Sequence, residues 1–542
     1  MSHDQTYKDP LFWLALLLGA AVLSLTLWYG IGVDSATIGY CSWVWKNYGL
    51  PPYVGCIEGD YPGMFLIHRL QLAVSGESVL GFRIFDIIVQ LSCLAMIYSL
   101  AKSYSQKSLA GFLAVVFYSI YYYGLDYYFE GEREAYILWL IFLCLILARV
   151  LKNRVFLRAF ATGLLLGFAF MVKPTFALLW PVFAAWFFWE ETKGSPWRRL
   201  SEMAVLAASW LLPGLIIVML YWRWGYLKQL FEITIWFDLK SYAGRPLLYS
   251  VFPFNQVREL TTGALLIIQL KSVLLSHKPL LAGGLLALFL AYFAWREKEQ
   301  RKNMAIIWAL ILVSLISMYI QRGIWDYHKI PFWGLMIILA AWGYGWVLDE
   351  FRAAKKSVWR GIAAYGIFPA ALFSLMVVEL PDYLRNAAFQ NFHRSFQQAY
   401  ALEYQDAALA SDYLRSKLGK GEEYYYFGAI SNLPYLAGRK LVTAFPFSEP
   451  FFWTMKDGSP NLVREKWLGE YTGALLKFKP RFFVFNTAMP VTVFNPLPAD
   501  FVAVARKEMP DLFRTVDQYY QVVERFGEIE IYELKDAAAK PE

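Results

Sequence analysis

Long apolar runs separated by short polar stretches dominate the chain as far as residue 379. Backbone groups in lipid must pair within their own segment, so runs of roughly 17 to 25 apolar residues predict membrane-spanning helices. About eleven runs qualify, at 11–31, 80–101, 108–124, 135–150, 159–172, 175–190, 203–222, 276–295, 304–320, 331–349 and 361–379. The runs at 159–172 and 175–190 are short, and Lys173-Pro174 between them reads either as a tight turn or as a kink in one longer helix. The run from Leu11 is longer than a signal-peptide core and no A-x-A site follows it, so it is read as a retained first span.

Beyond residue 380 the pattern changes. ALASDYLRSKL has the period of an amphipathic helix, whereas YYYFG, KLVTAF, RFFVFNT and EIEIYEL have the length and composition of strands. The expected fold is therefore an α-helical multi-pass membrane protein. Residues 1–379 form its transmembrane domain, with outer loops at 33–78, 125–134 and 223–278, and residues 380–542 form a soluble periplasmic α/β domain. The second half does not copy the first, which weighs against a secondary transporter built from paired repeats.

Composition sharpens this reading. A hydrophobic content of 58% and a mean hydropathy of +0.38 exclude a water-soluble globular chain. The net charge of +8 would suit nucleic acid, but the Lys and Arg residues fall in alternate short loops. KSYSQK, RVLKNRVFLR, ETKGSPWRR, WREKEQRK and FRAAKKSVWR form one set, placed on the cytoplasmic side by the positive-inside rule. The N-terminus is then inside, and the loops between the other ends, with everything after about residue 380, are outside. Of the four cysteines, Cys93 and Cys144 lie in apolar runs, while Cys41 and Cys56 share the first outer loop, on the oxidising side. There they are either bridged or two free thiols.

Candidate chemistry concentrates on the outer side. Asp34, after the first span in YGIGVDSATIGY, either marks a helix end in water or serves as a proton acceptor. LDYYFEGEREAY crowds Asp126, Glu130, Glu132 and Glu134 around Arg133; it reads as a solvated acidic face or as a group meeting a cation, a metal or sugar hydroxyls. Glu134 in a first helical turn is also favoured by the helix dipole. QRGIWDYHKIPFW sets Arg322, Tyr327, His328 and Lys329 at the outer interface, against the positive-inside trend. Interfacial anchoring explains them, and so does a lipid phosphate. Lys173 is a further outer cation at a helix turn.

In chain order, the acid after the first span, GDYPGMFLIHRL closing the first outer loop, GEREA, YHKIP and the turn Leu436-Ala437-Gly438-Arg439 resemble the bacterial GT-C glycosyltransferases. Within them the chain is most similar to the protein-mannosyltransferase-like group, which includes the aminoarabinose transferase of lipid A. That resemblance implies an inner-membrane enzyme moving a sugar, with inversion, from a polyprenyl-phosphate donor to a glycan, lipid or protein acceptor on the periplasmic face. It implies Asp34 as general base, Glu130, Glu132, Arg133 and Glu134 as acceptor or sugar ligands, and Arg322, Tyr327, His328 and Lys329 as partners of the donor phosphate. Two departures stand out. Where relatives often carry Lys before the loop proline this chain has Asp60-Tyr61-Pro62, and Ser35, not a second acid, follows Asp34.

No metal-binding D-x-D and no glycine-rich phosphate loop are present, which argues for a lipid-linked donor over a nucleotide sugar. The outer carboxylates leave room for a divalent cation without a recognisable motif. Two rivals remain: a lipid-linked saccharide transporter or flippase, which would use the same outer cations and aromatics, and an O-antigen polymerase or ligase, in which a large outer loop and its arginines dominate. The segment 223–278 with Arg223, Arg245 and Arg258 suits the latter, whereas a terminal α/β domain of this size does not.

Overall fold

The computed structural model describes residues 6–190, 195–242, 248–251, 256–259, 261–275, 277, 280–281, 283–285, 298–322, 325–353, 402–428, 431–452, 455, 459–460, 463–487 and 501–535. They form two compact units. The first comprises Met1–Tyr29, Arg83–Ile217 and Leu265–Phe392; the second comprises Gly30–Phe82, Val218–Ala264 and His393–Glu542.

The first unit is helical. Asp9 caps the opening helix Pro10–Ser24 by accepting from the Leu11 amide at 3.1 Å, and Pro10 at the first helical position loses no hydrogen bond there. Asp9 also accepts from Tyr98 at 2.7 Å and Lys102 at 2.5 Å, tying the start of this helix to the end of Val79–Ser105. Helices Ser108–Tyr123, Arg133–Val150, Val155–Val172, Leu179–Glu190, Pro196–Trp224, Lys298–Ile320 and Ile330–Ala353 follow. Each predicted span from 80–101 to 203–222, and those at 304–320 and 331–349, falls on one of these helices. Among the described residues, five helices are long and apolar enough to cross a membrane: Pro10–Trp28, Val79–Ser105, Val155–Val172, Pro196–Trp224 and Lys302–Ile320. The span expected at 276–295 lies mostly, and that at 361–379 wholly, outside the described residues.

At Lys173 the chain turns extended (φ −154°, ψ 108°), and a short 3-10 turn Pro174–Leu178 leads into Leu179–Glu190. Lys173-Pro174 is thus a break between two helices. Proline without an N–H, whose ring pushes the preceding residue out of helical geometry, accounts for it. Helices Val155–Val172 and Pro196–Trp224 approach closely through Gly163 and Gly167. A β-carbon at Gly163 would come within 1.9 Å of Ser209 Oγ, and one at Gly167 within 2.1 Å of the Trp210 carbonyl. Small residues four apart bring backbones together where lipid supplies no hydrophobic drive between helices. The same pair of helices buries Arg158 against Glu202, with contacts of 3.2 and 2.6 Å to one carboxylate oxygen, and stacks the guanidinium 4.3 Å from the Phe187 ring.

In the second unit the expected outer loop 33–78 contains two helices, Val33–Tyr48 and Pro62–Val74. Gly49 in the left-handed region (φ 71°) ends the first and Pro62 opens the second. Cys41 and Cys56 are bridged, with Cα atoms 5.1 Å apart. Segment 223–278, expected as loop, holds a π-helix Glu232–Tyr242, the hairpin Leu248–Val251 with Gln256–Glu259, and an apolar helix Thr262–Leu275, which from Leu265 belongs to the first unit. At 14 residues that helix reaches about 21 Å, short of a standard bilayer core.

The C-terminal part is a four-stranded mixed sheet in the order Tyr425–Phe427, Phe482–Asn486, Ile529–Leu534, Tyr520–Phe526. The first two strands run parallel and are wholly buried; the other pairings are antiparallel. KLVTAF does not form a strand: only Leu441 bridges Tyr424, because the chain around it turns away to contact helix Val33–Tyr48. The edge strand Tyr520–Phe526 was not foreseen; exposed Glu524 and Arg525 mask its pattern, as charges on sheet edges commonly do.

The Arg158–Glu202 pair yields a prediction. Glu202→Ala should leave a buried guanidinium uncompensated and cost about 3–5 kcal/mol, whereas the double Arg158→Met/Glu202→Leu replacement should recover most of the loss. Thermal unfolding in detergent measures both.

Candidate active site

The acid-rich stretch before helix Arg133–Val150 is held from within the first unit. Arg83 and Asp86, on one face of helix Val79–Ser105, are fully buried. Arg83 donates to Glu130 at 3.0 Å and to the Tyr127 carbonyl at 3.1 Å, and lies 5.6 Å from the Tyr29 ring centroid. The Tyr122 hydroxyl stands 2.9 Å from both Asp86 carboxylate oxygens and accepts from the Gly131 amide at 2.8 Å. Gln90 donates to Asp86 and in turn accepts from Tyr118. Gly131 adopts φ 72°, which lets the chain fold back onto Tyr122. The sequence reading passed over Arg83 and Asp86. The signal was there: charged residues within an apolar span are costly and mark functional positions.

Above this network, Glu132 precedes the helix and Glu134 occupies its first turn, where the macrodipole favours a carboxylate. Both are buried. Lys173, presented by the break between two helices, pairs with Glu134, and His328 Nε2 lies 3.9 Å from the same carboxylate. Arg133 lies 3.7 Å from Glu132, donates to the Tyr327 hydroxyl at 3.2 Å, and sits 5.6 Å from that ring. Lys173 approaches the same ring at 5.7 Å. Tyr327 and His328 belong to the 3-10 turn Asp326–Lys329, their rings 4.2 Å apart, and Phe129 extends this aromatic shelf to Trp325.

The structure therefore brings Glu132, Arg133, Glu134, Tyr327 and His328 into one cluster and adds Lys173. Glu130 turns to Arg83 instead. Lys329 pairs with Asp326 at 2.5 Å, a partner the sequence reading had not assigned. Arg322 lies on the turn after helix Lys298–Ile320, at φ 55°. The acidic crowding is thus balanced by the chain's own cations. Among the described residues no group of three or more His, Cys, Asp or Glu side chains could hold a metal ion. Burial, then the charges of Lys173, Arg133 and Lys329, hold the His328 imidazole well below its ordinary pKa, so it is neutral here. As a neutral ring it offers one N–H donor and one acceptor.

In the second unit Asp34 stands in the first turn of helix Val33–Tyr48, after Gly32 at its N-cap, where the helix dipole supports its negative charge. At the departure Asp60-Tyr61-Pro62, Tyr53 donates to the Asp60 carbonyl at 2.6 Å and Tyr61 to the Thr234 carbonyl at 2.7 Å. That string is anchored by its hydroxyls and backbone.

Residues 60–222 match the family model of dolichyl-phosphate-mannose-protein mannosyltransferase. A comparison with curated proteins gives no match. Among solved structures, ArnT from Cupriavidus metallidurans bound to undecaprenyl phosphate has a TM-score of 0.56 at 13% identity, covering 98% of this chain and 99% of that one. The same protein in the apo state has a TM-score of 0.55 at 15% identity, covering 97% and 99%. The Archaeoglobus fulgidus oligosaccharyltransferase, tethered to an acceptor peptide, has 0.50 at 11% identity, covering 95% and 73%. At these identities the structural likeness speaks for the fold. The family match over residues 60–222 bears out the reading of the chain as a glycosyltransferase, and the fold agrees with the GT-C resemblance read from the motifs.

The depressed pKa of His328 fixes a pH dependence. Unfolding raises that pKa toward 6.5, so the unfolded chain binds the extra proton and the folded state loses stability as pH falls below about 6.5. His328→Gln should flatten part of that acid-side loss, read as melting temperature at pH 5 against pH 7.5.

Proposed function

We propose that the chain transfers a sugar from a polyprenyl-phosphate donor to an acceptor on the periplasmic face of a bacterial inner membrane, with inversion at the anomeric carbon. The cluster of Arg133, Glu134, Lys173, Tyr327 and His328 carries this reading: it concentrates cations and phenolic and imidazole donors beside buried carboxylates, at the outer end of a helix by the charge distribution of the loops. A water-soluble role explains none of this. The departing polyprenyl phosphate gains negative charge as its bond to the sugar breaks, and preorganised donors stabilise that charge most where water is excluded.

Arg322, Tyr327, His328 and Lys329, with Lys173, form the phosphate end of the site. A phosphate arriving beside Lys173 would compete with Glu134 for the ammonium and raise the His328 pKa toward protonation. The released carboxylate of Glu134, with Glu132 and Arg133, would then meet sugar or acceptor hydroxyls, while Glu130, held by Arg83, supports them. Asp34 acts as general base. It takes the proton of the acceptor O–H or N–H, the freed electron pair forms the bond to the anomeric carbon, and the phosphate leaves from the opposite face with the electrons of the broken C–O bond. An acid in a first helical turn just after the opening span supports this role.

Asp34→Asn should lower transfer about 10²- to 10⁴-fold while leaving binding of undecaprenyl phosphate unchanged. Full transfer by that variant, assayed with lipid-linked donors extracted from native membranes, would remove the base and favour a carrier of lipid-linked saccharides.

A further inference from the structure

Among its described residues the C-terminal sheet domain has no catalytic constellation of its own, yet it reaches the helix Val33–Tyr48, which carries Asp34 in its first turn. Asn432, 3% exposed, donates through Nδ2 to the Ile31 carbonyl at 2.7 Å. Ile31 precedes the helix, so no helical amide reaches that carbonyl, and buried backbone acceptors need a partner. The hydroxyl of Ser431, 1% exposed, lies 3.2 Å from the Val33 carbonyl and within hydrogen-bond reach of the Thr37 hydroxyl, which stands 2.9 Å from the same carbonyl, and the two hydroxyl protons serve two of these three contacts at a time. One turn on, the Tyr40 hydroxyl accepts from the Leu441 amide at 2.8 Å. Tyr435 packs against Gly39, where a β-carbon would come within 2.8 Å of its ring. All of these groups belong to the second unit.

We propose that Ser431 and Asn432 are positioning residues for Asp34: segment 431–441 sets where the helix starts and in which direction its first turn projects. The inference rests on the reading of Asp34 as base. It assigns the C-terminal domain a part in the chemical step, since small misplacement of a reacting group lowers turnover steeply. Contacts from Asn432 and Ser431 meet the backbone just before Asp34, at residues 31 and 33, and Ser431 also reaches the Thr37 hydroxyl one turn beyond it. A domain serving only acceptor recognition would not need to hold the backbone that leads into that carboxylate.

The test uses the full-length protein in nanodiscs, with Asn432→Ala, the near-isosteric Asn432→Leu in case the alanine variant folds poorly, Ser431→Ala, and Ser431→Thr, which keeps the hydroxyl. Hydrogen exchange at residues 33–38 should quicken about five- to tenfold in the first three variants and stay near wild type in Ser431→Thr. Transfer from lipid-linked donors extracted from native membranes should lose kcat by a similar factor in the first three, with KM for the donor unchanged. Unchanged exchange at 33–38 would overturn the clamp. Faster exchange with undiminished kcat would overturn its role in the reaction. Asp34→Asn separates the two claims: if it transfers at the full rate, the base reading fails and this inference falls with it, whatever the exchange data show.

Discussion

A charge facing lipid, or sealed beneath its surface, must find its counter-charge inside the protein, and the first unit is organised around that requirement. Arg83 meets Glu130, Lys173 meets Glu134, and Arg158 meets Glu202, each carboxylate nearly or fully buried. None of these pairs is a cheap source of stability, because desolvation opposes the Coulomb gain. What they provide is placement. Arg83 and the Asp86–Tyr122 arm hold residues 127–131 from beneath, so Glu132, Arg133 and Glu134 start their helix in a defined position.

This placement has a chemical consequence. The cluster is charge-balanced within the first unit: Glu134 pairs with Lys173, and burial with the neighbouring cations keeps the His328 imidazole neutral; on the proposed reading an arriving phosphate would displace that carboxylate and favour the protonated ring. The second unit supplies a different device. The Cys41–Cys56 bridge, the hydroxyl anchors of Tyr53 and Tyr61, and the contacts of segment 431–441 turn what reads as an outer loop into a scaffold of two helices, with Asp34 at the head of one.

Much of this was legible in the chain. The apolar periodicity located the helices from 80–101 to 203–222, because helix formation in lipid is compulsory and needs no tertiary knowledge. Helix Leu402–Lys417 and strand Phe482–Asn486 likewise follow from local pattern. The helices Val33–Tyr48 and Pro62–Val74 were hidden because their apolar content is interrupted by polar residues that find partners only in the folded state, as Ser42 does on the Phe65 carbonyl. At the site, GEREA and YHKIP led to Glu134 and His328, but the role of Lys173 as their common neighbour depends on a break geometry that residue spacing does not encode. Arg83 and Asp86 were readable as charges within a span, and only their partners required coordinates.

The most direct measurement is a structure of the protein in nanodiscs with undecaprenyl phosphate bound. The phosphate should lie within hydrogen-bond distance of Lys173 and of at least one of Arg322, Tyr327, His328 and Lys329, with Glu134 released from the ammonium. A phosphate lodged elsewhere, with Lys173 still on Glu134 and Lys329 still on Asp326, would contradict this placement.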